Sequence, residues 1–103
     1  MRAQSSMETI LDEREYAQRA EAALAVIEAK LEAADVDYEI AAGGILEIDL
    51  EDGGKVVINK QSAVREIWVA ARSGGFHFRW SGAAWVNTRG GEDLLETIER
   101  LIS

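Results

Sequence analysis

Two groups of residues in this 103-residue chain are of types that do chemistry. The first is acidic. Glu21, Glu28, Glu32 and Asp35 follow one another at offsets of seven, four and three, which on a helix sets them along one stripe. Asp37 and Glu39 continue the series just beyond it. Crowded carboxylates repel and raise one another's pKa unless a cation sits between them. Oxygen ligands on an open surface suit hard ions such as Fe²⁺, Fe³⁺, Mn²⁺, Ca²⁺ or Mg²⁺, with waters completing the shell and little selectivity. Taken alone, a solvated helix face explains such a stripe equally well.

The second group centres on residues 56–69, VVINKQSAVREIWV. Side chains alternate sides along a strand, so Trp68 points away from Ile67 and Val69. If that pair faces a core, the indole lies on the outer face beside Asn59, Lys60 and Gln61. The alternative is a sheet covered on both sides, with Trp68 under a helix. In the first arrangement Asn59, Gln61, Trp68, His77 and Arg79 project from three neighbouring strands into one patch. A tryptophan ringed by amides and arginine has the composition of a protein-interaction hot spot. His77 by itself reads as a solvated strand residue rather than a metal ligand.

Ordinary catalytic equipment is missing. The chain has no cysteine and a single histidine, so it lacks a thiol nucleophile, a disulfide, and the ligands of a cysteine-held cluster or zinc. A hydroxyl nucleophile needs a base held beside it, and His77 is the only imidazole. No nucleophile elbow, phosphate loop or dinucleotide fingerprint occurs. The four Gly-Gly pairs all sit where turns are expected.

The elements that must carry these groups follow from periodicity. From Asp12 to about Ala34 the chain reads as a helix with Tyr16, Ala20, Ala23, Leu24, Ile27 and Leu31 on its buried stripe. Asp12 with Glu15 and Ser5 with Glu8 are alternative capping boxes. Val36, Tyr38 and Ile40 alternate with Asp37 and Glu39 as a half-buried strand, and Leu46, Ile48 and Leu50 with Glu47, Asp49 and Glu51 as another. Asp52-Gly53 signals a type I′ hairpin. Strands follow at Lys55–Gln61 and Glu66–Ala71, then one carrying Phe76, Phe78 and Trp80, then a short one at Trp85 and Val86. A last helix presents Leu94, Leu95, Ile98, Leu101 and Ile102 on its apolar face, with Glu96 and Arg100 as an i,i+4 pair. This order predicts an α+β two-layer sandwich, two helices on one face of a five- to six-stranded, mainly antiparallel sheet. Residues 12–103 form one domain. Residues 1–11 are an extension, frayed or wound into one extra turn.

Charge is segregated. Residues 1–53 carry four basic and fourteen acidic side chains, and residues 54–103 carry seven and five, giving the net −8. Between Lys55 and Arg89 stand six basic residues and one acid, Glu66. Segregation of this kind favours a cation site on one face and a protein contact on another. A net negative charge opposes binding to phosphate backbones. No apolar run is long enough to span a membrane, and the N-terminus has neither a secretion signal nor a transit peptide, so a soluble cytoplasmic protein is expected.

Read together, Leu11-Asp12-Glu13 and Tyr16, Gly44-Ile45-Leu46, Asn59-Lys60-Gln61, Ile67-Trp68, Gly74-Gly75, Phe76-His77-Phe78 and Trp85 resemble the frataxin family and its bacterial CyaY group. The resemblance covers most of the chain, and its motifs are specific in combination. It implies the frataxin fold, and a non-enzymatic iron-binding regulator or adaptor of iron–sulfur cluster assembly. The acidic helix-and-strand edge would hold iron at Glu28, Glu32, Asp35, Asp37 and Glu39. The sheet would meet the cysteine desulfurase and the scaffold protein, with Asn59, Lys60, Gln61 and Trp68 at matching positions. No haem and no bound cluster are expected, and neither nucleic acid nor membrane is a partner. The resemblance implies a monomer, with iron-dependent oligomers as the alternative. A ferroxidase or iron-storage enzyme acting at the same carboxylates is the competing reading. Some departures bear on this. Ala63 stands where a proline is usual, Ala29 and Ala33 replace acids, and Glu66 takes the place of a glutamine, which implies fewer or weaker ions and leaves the role of Glu66 open. The chain stops at Ser103, where many frataxins continue into a tail, so the second helix is expected to be a weak point with Leu101 buried.

Overall fold

The computed structural model describes residues 11–103. The Ser5–Glu8 capping box and the first ten residues of the extension lie outside them. Leu11 does not belong with that extension: it is buried, and its carbonyl accepts from Arg65 Nε at 3.1 Å.

Helix α1 spans Glu13–Ala33, started by Asp12, whose Oδ1 accepts the Glu15 N–H at 2.7 Å. Tyr16, Ala20, Leu24, Ile27 and Leu31 are buried, at the three- and four-residue spacing of one helix face. The helix closes in a Schellman motif. The Val36 N–H donates to the Leu31 carbonyl at 2.9 Å and the Asp35 N–H to that of Glu32 at 3.2 Å. Asp35 sits in the left-handed region (φ 59°), where glycine is usual and Asp is among the few tolerated alternatives.

Six strands follow: β1 (Asp37–Ala41), β2 (Ile45–Asp49), β3 (Lys55–Gln61), β4 (Glu66–Ala71), β5 (Gly74–Trp80) and β6 (Trp85–Asn87). Each pairs antiparallel with the next, in the order β1 to β6. Helix α2 (Leu94–Ile102) is capped by Asp93, which accepts from Glu96 N at 3.1 Å. Leu46, Ile48, Val56, Ile58, Ile67, Val69, Phe78 and Trp85 from one face of the sheet form the core with the α1 stripe and with Leu94 and Ile98 of α2. The expected α+β sandwich is the observed fold. Among the described residues, no helix or further strand covers the other sheet face.

Local expectations are corrected in several places. Asp52-Gly53 is not a type I′ turn, because only Gly53 has positive φ (89°). Gly53 N–H donates to Leu50 O at 3.0 Å, and Leu50 pairs with Gly54, so a type I turn is followed by a left-handed glycine in a three-residue loop. Ile40 lies on the core-side face opposite Leu46 but is 52% exposed, on the outermost strand β1. Glu96 and Arg100 form no ion pair. Glu99 instead takes Lys30 of α1 at 2.5 Å. Leu101 is half-buried rather than buried.

The corner between β3 and β4 sets the face that matters below. Ser62–Val64 make one 3₁₀ turn, and Arg65 then adopts a left-handed conformation (φ 57°) with its guanidinium on the carbonyls of Ser62 and Leu11. Tyr16 Oη donates to the Glu66 carbonyl at 2.7 Å, tying α1 to the first residue of β4. The corner is therefore held by Arg65 and Tyr16, with alanine rather than proline at position 63.

Candidate functional site

Register places the sheet-face candidates in a grid. Gln61, Glu66 and Arg79 lie opposite one another across β3, β4 and β5 in one row, and Asn59, Trp68 and His77 in the next. Their partners on the other face, Ile67, Val69 and Phe78, are buried in the core. Trp68 is therefore on the bare face, half-buried by its neighbours rather than by a helix. Its ring lies flat on His77, with centroids 4.2 Å apart and planes 7° from parallel.

Lys60 leaves this patch. It pairs with Ile67, which is on the core side, so alternation turns it toward α1, where Nζ meets Glu21 Oε2 at 2.5 Å. Asn59-Lys60-Gln61 is contiguous in sequence but divided between two faces. The same pairing withdraws Glu21 from the acidic stripe.

The residue that joins the patch is Glu66. It is only 6% exposed, although it stands on the solvent side of the sheet. Oε1 accepts the Trp68 indole Nε1–H at 2.7 Å, and Oε2 accepts from Arg79 at 2.5 Å. His77 Nδ1 is 3.8 Å from Oε1. Burial pushes the Glu66 carboxyl up, but the hydrogen bonds from Trp68 and Arg79, with the charges of Arg79 and His77, outweigh it and hold the group below its ordinary range. Two signals in the sequence could have found it: a position two residues from Trp68 on the same strand face, and its standing as the one acid among six cations.

The acidic residues are divided as well. On the helix side, the Tyr38 hydroxyl donates to Glu32 Oε2 at 2.5 Å and lies 3.4 Å from Glu28 Oε1. The Glu32 hydrogen bond, then desolvation and the charges of Glu32 and Glu28, push the Tyr38 phenol up to about 12. Asp35 is exposed at the helix end. Asp37 and Glu39 point to the bare face of the sheet, where they stand opposite Asp49 and Glu47. Lys55 reaches this set, with Nζ 2.8 Å from Asp49 Oδ1; that bond and the charges of Asp49, Glu47 and Glu39 raise its pKa. Glu47 and Asp49 thus extend the acidic edge beyond the residues named from sequence. Among the described residues, no three His, Asp or Glu side chains converge closely enough to hold one ion.

Two helices on one side of a six-stranded antiparallel meander, with the opposite face bare among the described residues, make the architecture of a frataxin-like domain. The family model for that domain matches residues 9–103, and the chain belongs to the frataxin family. It is 52% identical over 95 residues to the iron–sulfur cluster assembly protein CyaY of Dechloromonas aromatica, covering 90% of both chains. It is 45% identical over 98 residues to the protein of that name from Cupriavidus metallidurans, covering 90% of this chain and 88% of the relative. Among solved structures, a frataxin from Psychromonas ingrahamii superposes with a TM-score of 0.79 at 29% identity, over 87% of each chain.

Proposed function

We propose that this protein is an iron–sulfur cluster assembly factor that acts as an adaptor. It docks on the cysteine desulfurase and scaffold protein through the Trp68 face and holds iron loosely along the acidic edge. The names of the CyaY relatives support the pathway. The docking role rests on one observation: a stacked Trp68–His77 plate on a sheet face that no helix covers among the described residues. Large rigid aromatics with a polar surround are what interface hot spots are made of. A bare face with that composition recognises a surface rather than enclosing a substrate.

Iron, in this reading, is cargo or signal. Carboxylates on a convex surface leave waters on the ion, so affinity is micromolar or weaker, and Fe²⁺, Mn²⁺ and Co²⁺ compete. The five residues taken from the family, Glu28, Glu32, Asp35, Asp37 and Glu39, reach two sides of β1, so they act as an electrostatic field rather than a cage. The deciding experiment measures desulfurase turnover with and without this protein, with and without Fe²⁺, while following oxygen. A change in turnover with no oxygen consumed per iron supports the adaptor. Rapid oxygen consumption lost on Glu28→Gln with Glu32→Gln shows a ferroxidase instead.

A further inference from the structure

A carboxylate on the solvent side of an exposed sheet face normally stays hydrated, since nothing forces it out of water. Glu66 departs from this: Trp68, His77 and Arg79 cover it, and both of its oxygens are taken by donors from two strands. Its backbone is equally fixed, through the Tyr16 hydroxyl on its carbonyl and the left-handed Arg65 before it. We propose that Glu66 is the positioning residue of the docking face: its carboxylate clamps the indole edge of Trp68 and the guanidinium of Arg79, so that Trp68 and His77 meet a partner as one plate already stacked. The proposal rests on the reading of this face as the docking surface and adds how that surface is made rigid.

The physical gain is preorganisation. A side chain that must be ordered on binding lowers affinity by about two- to tenfold, and Trp68 and Arg79 are both ordered beforehand. The clamp also spends the charge of Arg79 within the protein. The exposed part of the patch is then flat and close to neutral, and the basic charge on this strand does not select the partner. Asn59 and Gln61, on the far side of Trp68, carry the free amides.

The test separates rigidity from docking. Hydrogen exchange of the Trp68 indole Nε1–H is followed by NMR, the signal being assigned by its loss in Trp68→Phe, which needs no partner. Binding to the desulfurase–scaffold complex is titrated with the same proteins, each checked for folding by a thermal melt. Glu66→Ala is expected to speed indole exchange about tenfold or more and to weaken binding about tenfold. Glu66→Gln keeps an acceptor for the indole and is expected to stay within about threefold of wild type on both measures. An indole that exchanges freely in the wild-type protein overturns the clamp, even if Glu66→Ala fails to fold. Binding lost in Trp68→Ala but kept in Glu66→Ala overturns the positioning role and leaves the docking face standing. Binding unchanged in both variants overturns the docking face itself.

Discussion

On the bare face of the sheet, β1 and β2 set Asp37 opposite Asp49 and Glu39 opposite Glu47, whereas β4 and β5 set Glu66 opposite Arg79 and Trp68 opposite His77. Both halves use the same cross-strand geometry, in which directly opposed like charges destabilise and opposite charges or stacked rings stabilise. At the acidic edge the repulsion is relieved mainly by Lys55 on Asp49. At the aromatic centre both carboxylate oxygens of Glu66 have donors within the protein. One half is therefore left with charge that an outside cation can neutralise. The other is finished before any partner arrives. A surface that must release its ion gains from the first arrangement, and a surface that must recognise a protein gains from the second.

The sharpest way to break the contrast is to remove the ring. Trp68→Ala is expected to weaken binding to the desulfurase–scaffold complex by about 2 kcal/mol, about thirtyfold, in a titration on folded protein. From sequence alone the expected cost to folding is small, because the ring lies opposite the core. The structure raises it to about 1–2 kcal/mol, since the change unstacks His77 and leaves Glu66 Oε1 without its donor. Denaturant melts of the same variant check that figure, and a loss above about 3 kcal/mol would mean the ring belongs to the core after all.

Converting the acidic half to the logic of the other half should reverse its behaviour. Glu39→Lys places a cation directly opposite Glu47. It is expected to stabilise the domain by about 0.5–1 kcal/mol in low salt. Mn²⁺ is expected to raise the melting temperature of the wild-type protein, and that gain should shrink in the variant. In the wild type, ion-induced amide shifts should extend through β2 to residues 47–49 as well as 28–39, because Glu47 and Asp49 share the field. Equal stabilisation of both proteins by Mn²⁺ would move the ion to the Glu28–Tyr38–Glu32 side.

Lys60 offers a smaller effect that isolates geometry from sequence neighbourhood. Lys60→Met removes a pair whose Glu21 partner is largely in water, so the expected cost is about 0.2–1 kcal/mol. Partner affinity should not change, whereas Asn59→Ala and Gln61→Ala, on the other face, should each lower it. A Lys60→Met protein that binds poorly would show the partner reaching around the edge onto the helix side.

The comparison also marks what the chain made legible. Period-two alternation in IWV was enough to put Trp68 on one face and the core on the other, and the helix stripe from Tyr16 to Leu31 was read from spacing alone. Strand bounds at Lys55–Gln61 and Glu66–Ala71 followed from the same signals. The misses within the sheet share a cause: each depends on what lies across the sheet, not along the chain. Lys60 was read with its sequence neighbours, and only register with Ile67 shows that it turns inward. Ile40 fits the alternation, yet edge position leaves it in water. Sequence leaves the role of Glu66 open, because its partners are two and thirteen residues away. Asp37 and Glu39 lie on the outward strand face that the alternation predicts, so β1 separates them from the acids of the helix stripe.

The smallest expected effect is a change in the shape of the pH–stability curve, and it reports on Glu66 alone. Its carboxyl is held below its ordinary value in the folded protein, while in the unfolded chain it titrates near about 4.3. A depressed folded pKa means that the unfolded state takes up protons first as pH falls. The stabilisation from the clamp is therefore fully present above the unfolded value and is lost as pH falls through the folded one. Glu66→Gln cannot titrate, so it removes this contribution from the acid limb and no other. The difference in unfolding free energy between wild type and Glu66→Gln should move in favour of the glutamine as pH falls below about 4. Other carboxylates titrate in both proteins and cancel in the difference. A difference that stays flat down to pH 3 would mean that Trp68 and Arg79 give the charged form no advantage over the neutral one. The patch would then be held by stacking and by its backbone register, and the acidic and aromatic halves would differ only in composition.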